Sequence, residues 1–406
     1  MNARARLHCA ALALLLVGLT SGCSSETESE SPAARLAGDR PLGPPVLLAR
    51  GPGCGLLAVL ADGGDRELTL WRADSLGRNW RRWTGLGRPA ASGRVGLAVS
   101  AEFAVVACAA GSAIEIVRVP LAPARDASAQ LPAVSLEAHA PVLFLALDGP
   151  RAGGAARASG PAGRAGTGDA RAPGTPAPLH LVYTTQAEGD TIRTLCYQRS
   201  PDWGATWSEP ESLASGALGA PAIFARSGEP GQVDVCYPRG ESMAWRGSVS
   251  AGTQWIAEQP IRLRTAPGMR SAIARAGAQV LVLCENELHQ VAGAVSPNGG
   301  HTWERAIAIA RESRHLRLPS LDMRGHTFWA CYSQGDSAVI ARATSAPGDP
   351  QQWRTSPVAA RTCCLDAPSI AALDDGSAAI LFALPEGDMR FVSLKAGVAV
   401  EESRLN

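Results

Sequence analysis

The sequence predicts an all-β chain that forms a β-propeller of four-stranded antiparallel blades, with seven blades, or six if the first or last unit is incomplete. Two observations predict this fold. A short string that ends in Trp recurs along the chain, and from the second copy onward its Trp advances by 48, 48 and 50 residues. Short apolar runs, broken by Gly, Pro or Asp-Gly, fill the intervals. A fixed step of about 48 residues filled with short strands is typical of one blade per repeat.

The recurring string has two strong copies, "SPDWGATW" at 200–207 and "SPNGGHTW" at 296–303. Three weaker copies are "ADSLGRNW" at 73–80, "SVSAGTQW" at 248–255 and "SAPGDPQQW" at 345–353. We call these five segments the Trp strings.

Two further apolar runs repeat in phase with the Trp strings. The first kind begins near residues 45, 94, 140, 220, 270, 318 and 367, often with Pro near its start. The second kind follows it, as in "FAVVACAA" and "QVLVLCE". Runs of five to eight Val, Ile, Leu and Ala residues between turn residues are strand signals, and a third strand then leads into each Trp string.

One interval is longer than the period, since residues 140 and 220 are 80 residues apart. Residues 150–178 account for the excess, and they contain no large apolar side chain. We expect a disordered loop there, between the first two strands of the third repeat. With this insert removed, repeats of about 48 residues fill a propeller domain at 45–406.

The N-terminus has the pattern of an export signal. Arg4 and Arg6 precede the apolar run "CAALALLLVG", which is too short to span a bilayer, so residues 1–22 are predicted to be a signal peptide. Small residues before Cys23 resemble the bacterial lipobox, in which the Cys is lipidated, although Thr20 stands where Leu is usual. Residues 23–44 are Ser-, Pro- and Glu-rich and are predicted to be a flexible tether. We expect a lipid-anchored, extracytoplasmic protein of the bacterial cell envelope, and plain secretion is the alternative.

The charge balance and the cysteines restrict the partners. The net charge is +1, which gives no reason to expect nucleic acid, and we expect a monomer. No Cys/His spacing resembles a zinc site, and His315 and His326 show no ligand spacing, so neither a metal nor another cofactor is expected. Most cysteines lie in apolar runs and are predicted to be buried strand residues. Cys363 and Cys364 lie in a predicted loop, where one of them could bridge to Cys331.

The strong Trp strings resemble the Asp-box, or BNR repeat, of the sialidase-like β-propellers, Ser-x-Asp-x-Gly-x-Thr-Trp. The first copy matches it through Ser200, Asp202, Gly204, Thr206 and Trp207, and the second through Ser296, Asn298, Gly300, Thr302 and Trp303. The resemblance covers about 45–406. In that family the box is the turn between the third and fourth strands of a blade and lies away from the catalytic face. The resemblance therefore implies a structural role for these residues.

The same resemblance suggests where to look for an active site. Sialidases bind the substrate carboxylate with three arginines and use a Tyr nucleophile, a Glu partner and an Asp acid/base. Their Phe/Tyr-Arg-Ile-Pro motif is missing here, since "DRPLGPP" has Arg40 and no aromatic residue. The starts of first strands and the ends of second strands meet on one face. They supply Arg94, His139, Arg270, Arg317 and Asp366, and Tyr183, Tyr237, Glu285 and Tyr332.

Two function classes follow from these residues. The first is a non-catalytic module that binds a glycan or a protein on this face, with Arg94, Arg270, Arg317, Tyr183, Tyr237 and Asp366 as candidate ligand-binding residues. The second is an exo-acting glycosidase of the sialidase type, which hydrolyses terminal sialic acid with Tyr332 and Glu285 as catalytic residues. The missing motif and the uneven Trp strings favour the first class.

Overall fold

The structure is a computed structural model. It describes residues 47–51, 55–62, 67–74, 79–89, 94–122, 131–149, 177–225, 231–304, 306–310, 316–334, 338–359, 368–373, 375–383, 389–395 and 398–405. The predicted signal peptide, Cys23, the tether, Asp366, Cys363, Cys364 and nearly all of the insert lie outside the described residues. All described strands belong to one compact unit, Leu42–Asn406.

The described residues form a β-propeller with seven blades, each a four-stranded antiparallel sheet of consecutive strands. The strands of blades 1 to 4 are β1 Leu47–Gly51, β2 Gly55–Asp62, β3 Glu67–Ala73, β4 Arg81–Pro89; β5 Val95–Val99, β6 Phe103–Ala110, β7 Ala113–Pro120, β8 Ala133–Glu137; β9 Val142–Asp148, β10 Leu179–Gln186, β11 Arg193–Ser200, β12 Glu211–Ser215; β13 Ala222–Ala225, β14 Val233–Arg239, β15 Ser242–Ser248 and β16 Gln259–Ile261. The strands of blades 5 to 7 are β17 Pro267–Ala276, β18 Gln279–Asn286, β19 Val291–Ser296, β20 Ile307–Ala310; β21 Leu316–Arg324, β22 Thr327–Gln334, β23 Ala338–Thr344, β24 Arg354–Ala359; β25 Ser369–Ala372, β26 Ala378–Ala383, β27 Met389–Lys395 and β28 Val398–Leu405. One 3-10 turn, Pro350–Gln352, precedes β24.

The first strand of every blade lies innermost, and these strands contact one another around a ring. Contacts run from β1 to β5, β9, β13, β17, β21 and β25, and β25 contacts β1 again. Blade 7 consists of four consecutive C-terminal strands, so packing, and not an exchanged strand, closes the ring. The predicted fold class and the choice of seven blades are confirmed. Residues 149–178 separate β9 from β10, the first two strands of blade 3.

The antiparallel order defines two faces. The upper face carries the starts of the first strands, the turns between second and third strands, and the links from each blade to the next. The lower face carries the turns between first and second strands and those between third and fourth strands. Because each blade has an even number of strands, every link between blades returns to the upper face.

The core lies between the blades. Middle strands are covered on both faces by the neighbouring blades. In β10, for example, seven consecutive residues are buried. A sheet covered on both faces needs continuous apolar strands in place of alternating ones, which is the pattern of "LHLVYTT" and "QVLVLCE". Five cysteines take part in this packing as free, buried thiols, as predicted for strand cysteines: Cys108, Cys196, Cys236, Cys284 and Cys331. Cys331 is therefore not bridged to Cys363 or Cys364.

Each Trp string joins the third strand of its blade to the fourth. In blade 3, Asp202 Oδ1 accepts hydrogen bonds from the Ser200 hydroxyl at 2.8 Å and from the Thr206 amide at 2.8 Å, and Ser200 Oγ accepts one from the Gly204 amide at 2.6 Å. In blade 5, Asn298 Oδ1 accepts from the Thr302 amide at 2.8 Å in the same way. The acidic or amide side chain thus serves the backbone of the turn, where a tight bend leaves amides without partners.

In blades 3 to 6 the glycine of the Trp string lies against the preceding blade. Gly300 has a φ of 94°, and a Cβ added there would overlap the ring of Trp245 in blade 4. Gly204 packs in the same way on Val105 and Ile116 of blade 2. The Trp residues extend this contact, since Trp303 meets Trp245 edge-on with ring centroids 6.1 Å apart. The Trp strings therefore pack neighbouring blades together and also form turns within their own blades.

Buried polar groups also join neighbouring blades. Asp234 of β14 forms a bidentate ion pair with Arg275 of β17, at 2.6 and 2.7 Å, and both side chains are buried. Asp148 accepts a hydrogen bond from the Ala225 amide of the next blade at 2.9 Å. Asp322 accepts one from the Ala372 amide at 2.8 Å. Such pairs satisfy charges that the apolar interfaces would otherwise leave unsolvated.

Candidate functional site on the upper face of blades 3 to 5

An irregular stretch of β17 shapes the upper face of blade 5. Pro267 pairs with Asn286 and Ser271 pairs with Cys284, so three residues, 268–270, lie opposite the single residue Glu285. The extra length bows toward blade 4, where Arg270 forms a parallel bridge with Ala220 and the Ala220 amide donates to the Met269 carbonyl at 2.7 Å. Bulges re-aim side chains at the ends of strands. This bulge puts half-buried Arg270 at the upper rim, beside Glu285.

The link between blades 4 and 5 adds two more arginines to this rim. It runs from Ile261, the end of β16, to Pro267, the start of β17. Arg262 and Arg264 are exposed on it, and neither forms a hydrogen bond or ion pair with any residue that the structure describes. Between them, half-buried Leu263 packs on the core. The link is therefore anchored by an apolar residue and presents its charges to solvent.

The turn between β18 and β19 lies next to this link. Asn286 Oδ1 accepts hydrogen bonds from the Leu288 amide at 3.1 Å and the Gln290 amide at 2.9 Å, which fixes the turn. His289 Nδ1 lies 3.1 Å from Glu285 Oε1. The Glu287 amide donates to the Ala266 carbonyl at 3.1 Å, so the turn and the link are held together.

The link between blades 3 and 4 forms the other side of the site. The Leu218 amide donates to the Pro238 carbonyl at 2.9 Å, and buried Arg193 donates to the Leu218 carbonyl. Gly219 is tightly placed, because a Cβ there would overlap the Met269 carbonyl. The backbone is therefore well held, while the Leu218 side chain stays exposed. We call Arg262, Arg264, Arg270, Glu285, His289 and Leu218 the upper-face site.

The three predicted tyrosines are buried between blades. Tyr332 is 0% exposed, and its hydroxyl accepts a hydrogen bond from Arg342 Nε at 2.8 Å. Tyr237 is also 0% exposed and donates to Glu258, and burial and this carboxylate raise the pKa of its phenol. Tyr183 is 1% exposed, and burial raises its pKa, with a smaller effect of Cys196. These phenols contribute packing and hydrogen bonds, and a ligand could reach them only if blades separated.

The other predicted residues are spread around the ring. Arg94 is half-buried and precedes β5 of blade 2, and its carbonyl accepts the Ala109 amide at 2.9 Å. His139 is exposed on the link between blades 2 and 3. For Arg317 of blade 6 the structure describes the backbone, which pairs with Ser333. The structure thus brings Arg270 and Glu285 together in blade 5, whereas Arg94 lies three blades away from them along the ring.

No group of three or more His, Cys, Asp or Glu side chains in the described ranges is arranged to hold a metal ion. Among the same residues, no helix has the length and apolar character that a membrane span requires.

Comparison with known proteins shows no family for this chain. No protein-family model matches the chain, and no curated protein sequence matches it. Solved structures that are similar include an α-L-arabinofuranosidase from Fusarium graminearum, with 10% identity, a TM-score of 0.45, and coverage of 86% of this chain and 90% of that one.

Two other similar structures are a sialidase and a lectin. The NanB sialidase from Streptococcus pneumoniae has 9% identity, a TM-score of 0.43, and coverage of 88% of this chain and 70% of that one. The six-bladed fucose-binding lectin of Aleuria aurantia has 8% identity, a TM-score of 0.46, and coverage of 89% and 94%. The similar structures therefore include two glycosidases and a fucose-binding lectin.

Sequence reasoning missed Arg262, Arg264 and His289. A signal for the arginines was present, because the stretch from Gln259 to Cys284 contains four arginines and no Asp or Glu. Its position near the start of a first strand predicts Arg270 as a site residue, whereas Arg262 and Arg264 lie in the link before that strand. The Glu285–His289 pair depends on a turn whose shape is set by Asn286, and strand patterns do not reveal that geometry.

Proposed function

We propose that this protein is an exported, lipid-anchored propeller of the sialidase-like, Asp-box type that binds a glycan or a protein through its upper face and does not turn it over. One observation carries the proposal. The β17 bulge and the link before it bring Arg262, Arg264 and Arg270 to the upper face beside the Glu285–His289 pair. Loops and strand ends held by a rigid scaffold are the usual place for binding residues.

The buried tyrosines favour binding over hydrolysis. A tyrosine nucleophile must reach the substrate and must lose its proton in the reaction. Tyr332 is fully buried with its hydroxyl engaged by Arg342, and Tyr237, whose hydroxyl meets the carboxylate of Glu258, is equally buried. Glu285 is paired with His289 and not with a phenol in the contacts described above. The exo-sialidase alternative therefore lacks an accessible nucleophile at the predicted positions.

An array of acidic and neutral glycans and peptides tests the binding function. We expect the wild-type protein to bind some acidic members of the array. The variant Arg262→Glu/Arg264→Glu should lose this binding, because it reverses two exposed charges of the site. The matched control is Arg354→Glu, an exposed arginine at the start of β24, near the lower face. An empty array, or equal loss in the control, would contradict the proposal.

A fluorogenic sialoside tests the absence of turnover. We expect no release of the fluorophore by the wild-type protein. Release that disappears in Tyr332→Phe would instead support the glycosidase alternative. The lipid anchor has its own test, since radiolabelled palmitate should be incorporated by the wild-type chain expressed in bacteria and not by Cys23→Ser. Equal incorporation in both would mean that the anchor is elsewhere.

A further inference from the structure

We propose that the ligand of the upper-face site is an acidic protein segment that also carries aliphatic side chains. This inference rests on the proposed binding function and names its partner. The charge of the site is the first argument. From Gln259 to Cys284 the chain has four arginines and no carboxylate, and Arg262 and Arg264 among them are exposed.

Two of the carboxylates around the site are engaged by other side chains. Glu258 accepts from Arg239 and Tyr237, and Glu285 is paired with His289. Glu241 and Glu287 are exposed on the turns beside the link. Arg262 and Arg264 remain exposed with no hydrogen bond or ion pair to any described residue. Guanidinium groups bind carboxylates with paired hydrogen bonds, so an acidic partner suits this surface.

The apolar residues around the site are the second argument. Four large apolar side chains are exposed among the described residues, Ile192 at 55%, Leu218 at 40%, Val249 at 72% and Leu288 at 57%. Three of them lie on the upper face of blades 3 to 5, on the β10–β11 turn, the link between blades 3 and 4, and the β18–β19 turn. The loop that carries Leu218 contacts the β17 bulge through the Ala220 amide and the Met269 carbonyl. The turn that carries Leu288 contacts the link through the Glu287 amide and the Ala266 carbonyl. Apolar side chains rimmed by charge are typical of protein-binding surfaces.

The kind of apolar residue distinguishes a protein from a sugar. The faces of sugar rings pack best on flat aromatic rings, whose π-systems attract the polarised C–H groups. None of the exposed large apolar side chains in the described residues is aromatic. Branched aliphatic side chains instead pack against other aliphatic side chains, which peptides supply and glycans do not. The observations therefore favour an acidic peptide over an acidic glycan.

Fluorescence polarisation with defined probes tests this inference. The protein is the compact unit that contains all seven blades, Leu42–Asn406. The probe is a labelled 12-residue peptide of alternating Glu and Leu, compared with a Glu/Ser peptide, a Lys/Leu peptide and polysialic acid. We expect the Glu/Leu peptide to bind and the other three to bind at least about tenfold more weakly, because each lacks one of the two required features.

Variants locate the binding. Arg262→Glu/Arg264→Glu and Leu218→Ser/Leu288→Ser should each weaken the Glu/Leu complex by about tenfold or more, and Arg354→Glu should leave it unchanged. All of these side chains are exposed, so the fold should persist, and equal melting temperatures would verify this. If polysialic acid binds as tightly as the Glu/Leu peptide and is lost in the arginine variant, the partner class is wrong while the binding function stands. If no probe binds, or if binding survives both upper-face variants, the inference is overturned.

Discussion

Trp80 of blade 1 packs on Phe391 of blade 7, with ring centroids 5.4 Å apart and an angle of 58° between the rings. This contact lies at the seam where the first and last blades meet. Because no strand is exchanged there, the seam depends on side chains such as these and on the packing of β1 against β25. The Trp string of blade 1 therefore contributes to ring closure as well as to its own turn.

A double-mutant cycle measures this seam. Trp80→Ala and Phe391→Ala should each destabilise the protein by about 3 kcal/mol, because each removes a large buried or half-buried ring. The coupling free energy between them should be about 1 kcal/mol, as for other aromatic pairs. Urea denaturation of the wild type, both single variants and the double variant gives this value. Additive effects would mean that the two rings do not stabilise the seam together.

Gly300 provides a sharp test of the packing between blades. Gly300→Ala should lower the free energy of unfolding by about 3 kcal/mol, because the new methyl group overlaps Trp245 and the φ of 94° is unfavourable for Ala. Gly325→Ala is the matched control, since Gly325 has a φ of 61° but no atom within 4 Å of an added Cβ. The control should cost about 1 kcal/mol. Similar losses in the two variants would show that backbone conformation alone requires Gly300.

Removal of one partner of the buried ion pair between blades 4 and 5 should strongly destabilise the protein. Asp234→Ala leaves the Arg275 guanidinium buried without its carboxylate, and we expect a loss of about 3–5 kcal/mol in chemical denaturation. Replacing both partners, in Asp234→Leu/Arg275→Met, should recover most of this loss because no buried charge remains. A double variant that is less stable than Asp234→Ala would contradict this interpretation.

His180 should make the protein sensitive to acid. It is fully buried, its Nδ1 lies 2.7 Å from the Tyr197 hydroxyl, and burial, aided by Arg199, lowers its pKa from 6.5 to about 3. Between these two values the unfolded chain binds a proton that the folded chain does not, so stability falls as pH falls from about 6.5 to about 3. The slope is about 1.4 kcal/mol per pH unit from this group.

The variant His180→Gln checks the contribution of His180 to acid sensitivity. It keeps a polar group beside Tyr197 but does not titrate. The stability difference between wild type and variant should shift in favour of the variant by about 2–3 kcal/mol between pH 7 and pH 4.5, measured by urea denaturation. A difference that does not change with pH would mean that His180 is protonated alike in the folded and unfolded chains.

The sequence predicts the scaffold better than the site for physical reasons. The period of the Trp strings and the apolar runs follow directly from the repeated blade, and they locate the seven blades and the insert in blade 3. Tyr183, Tyr237 and Tyr332 were predicted to lie at the ends of second strands, but each lies inside its strand, two or three residues before the end. Second strands are covered on both sides by neighbouring blades, so a residue near the end of such a strand still packs inside.

The site depends on features that a strand pattern does not contain. A bulge with two extra residues in β17 brings Arg270 to the upper rim. The bulge is seen only in the pairing register of β17 and β18. Arg262 and Arg264 lie in a link in which Leu263 packs on the core and the two arginine side chains are exposed to solvent. The sequence shows that the stretch around them contains no Asp or Glu. It does not show which arginines of that stretch are exposed and which are buried in ion pairs.

Hydrogen–deuterium exchange with and without the best-binding member of the array tests the central claim most directly. We predict that the bound ligand slows exchange in the link between blades 4 and 5 and in the β18–β19 turn, and leaves the Trp strings of the lower face unchanged. Protection confined to the Trp strings, or to the outer strands of the blades, would contradict a binding site on the upper face.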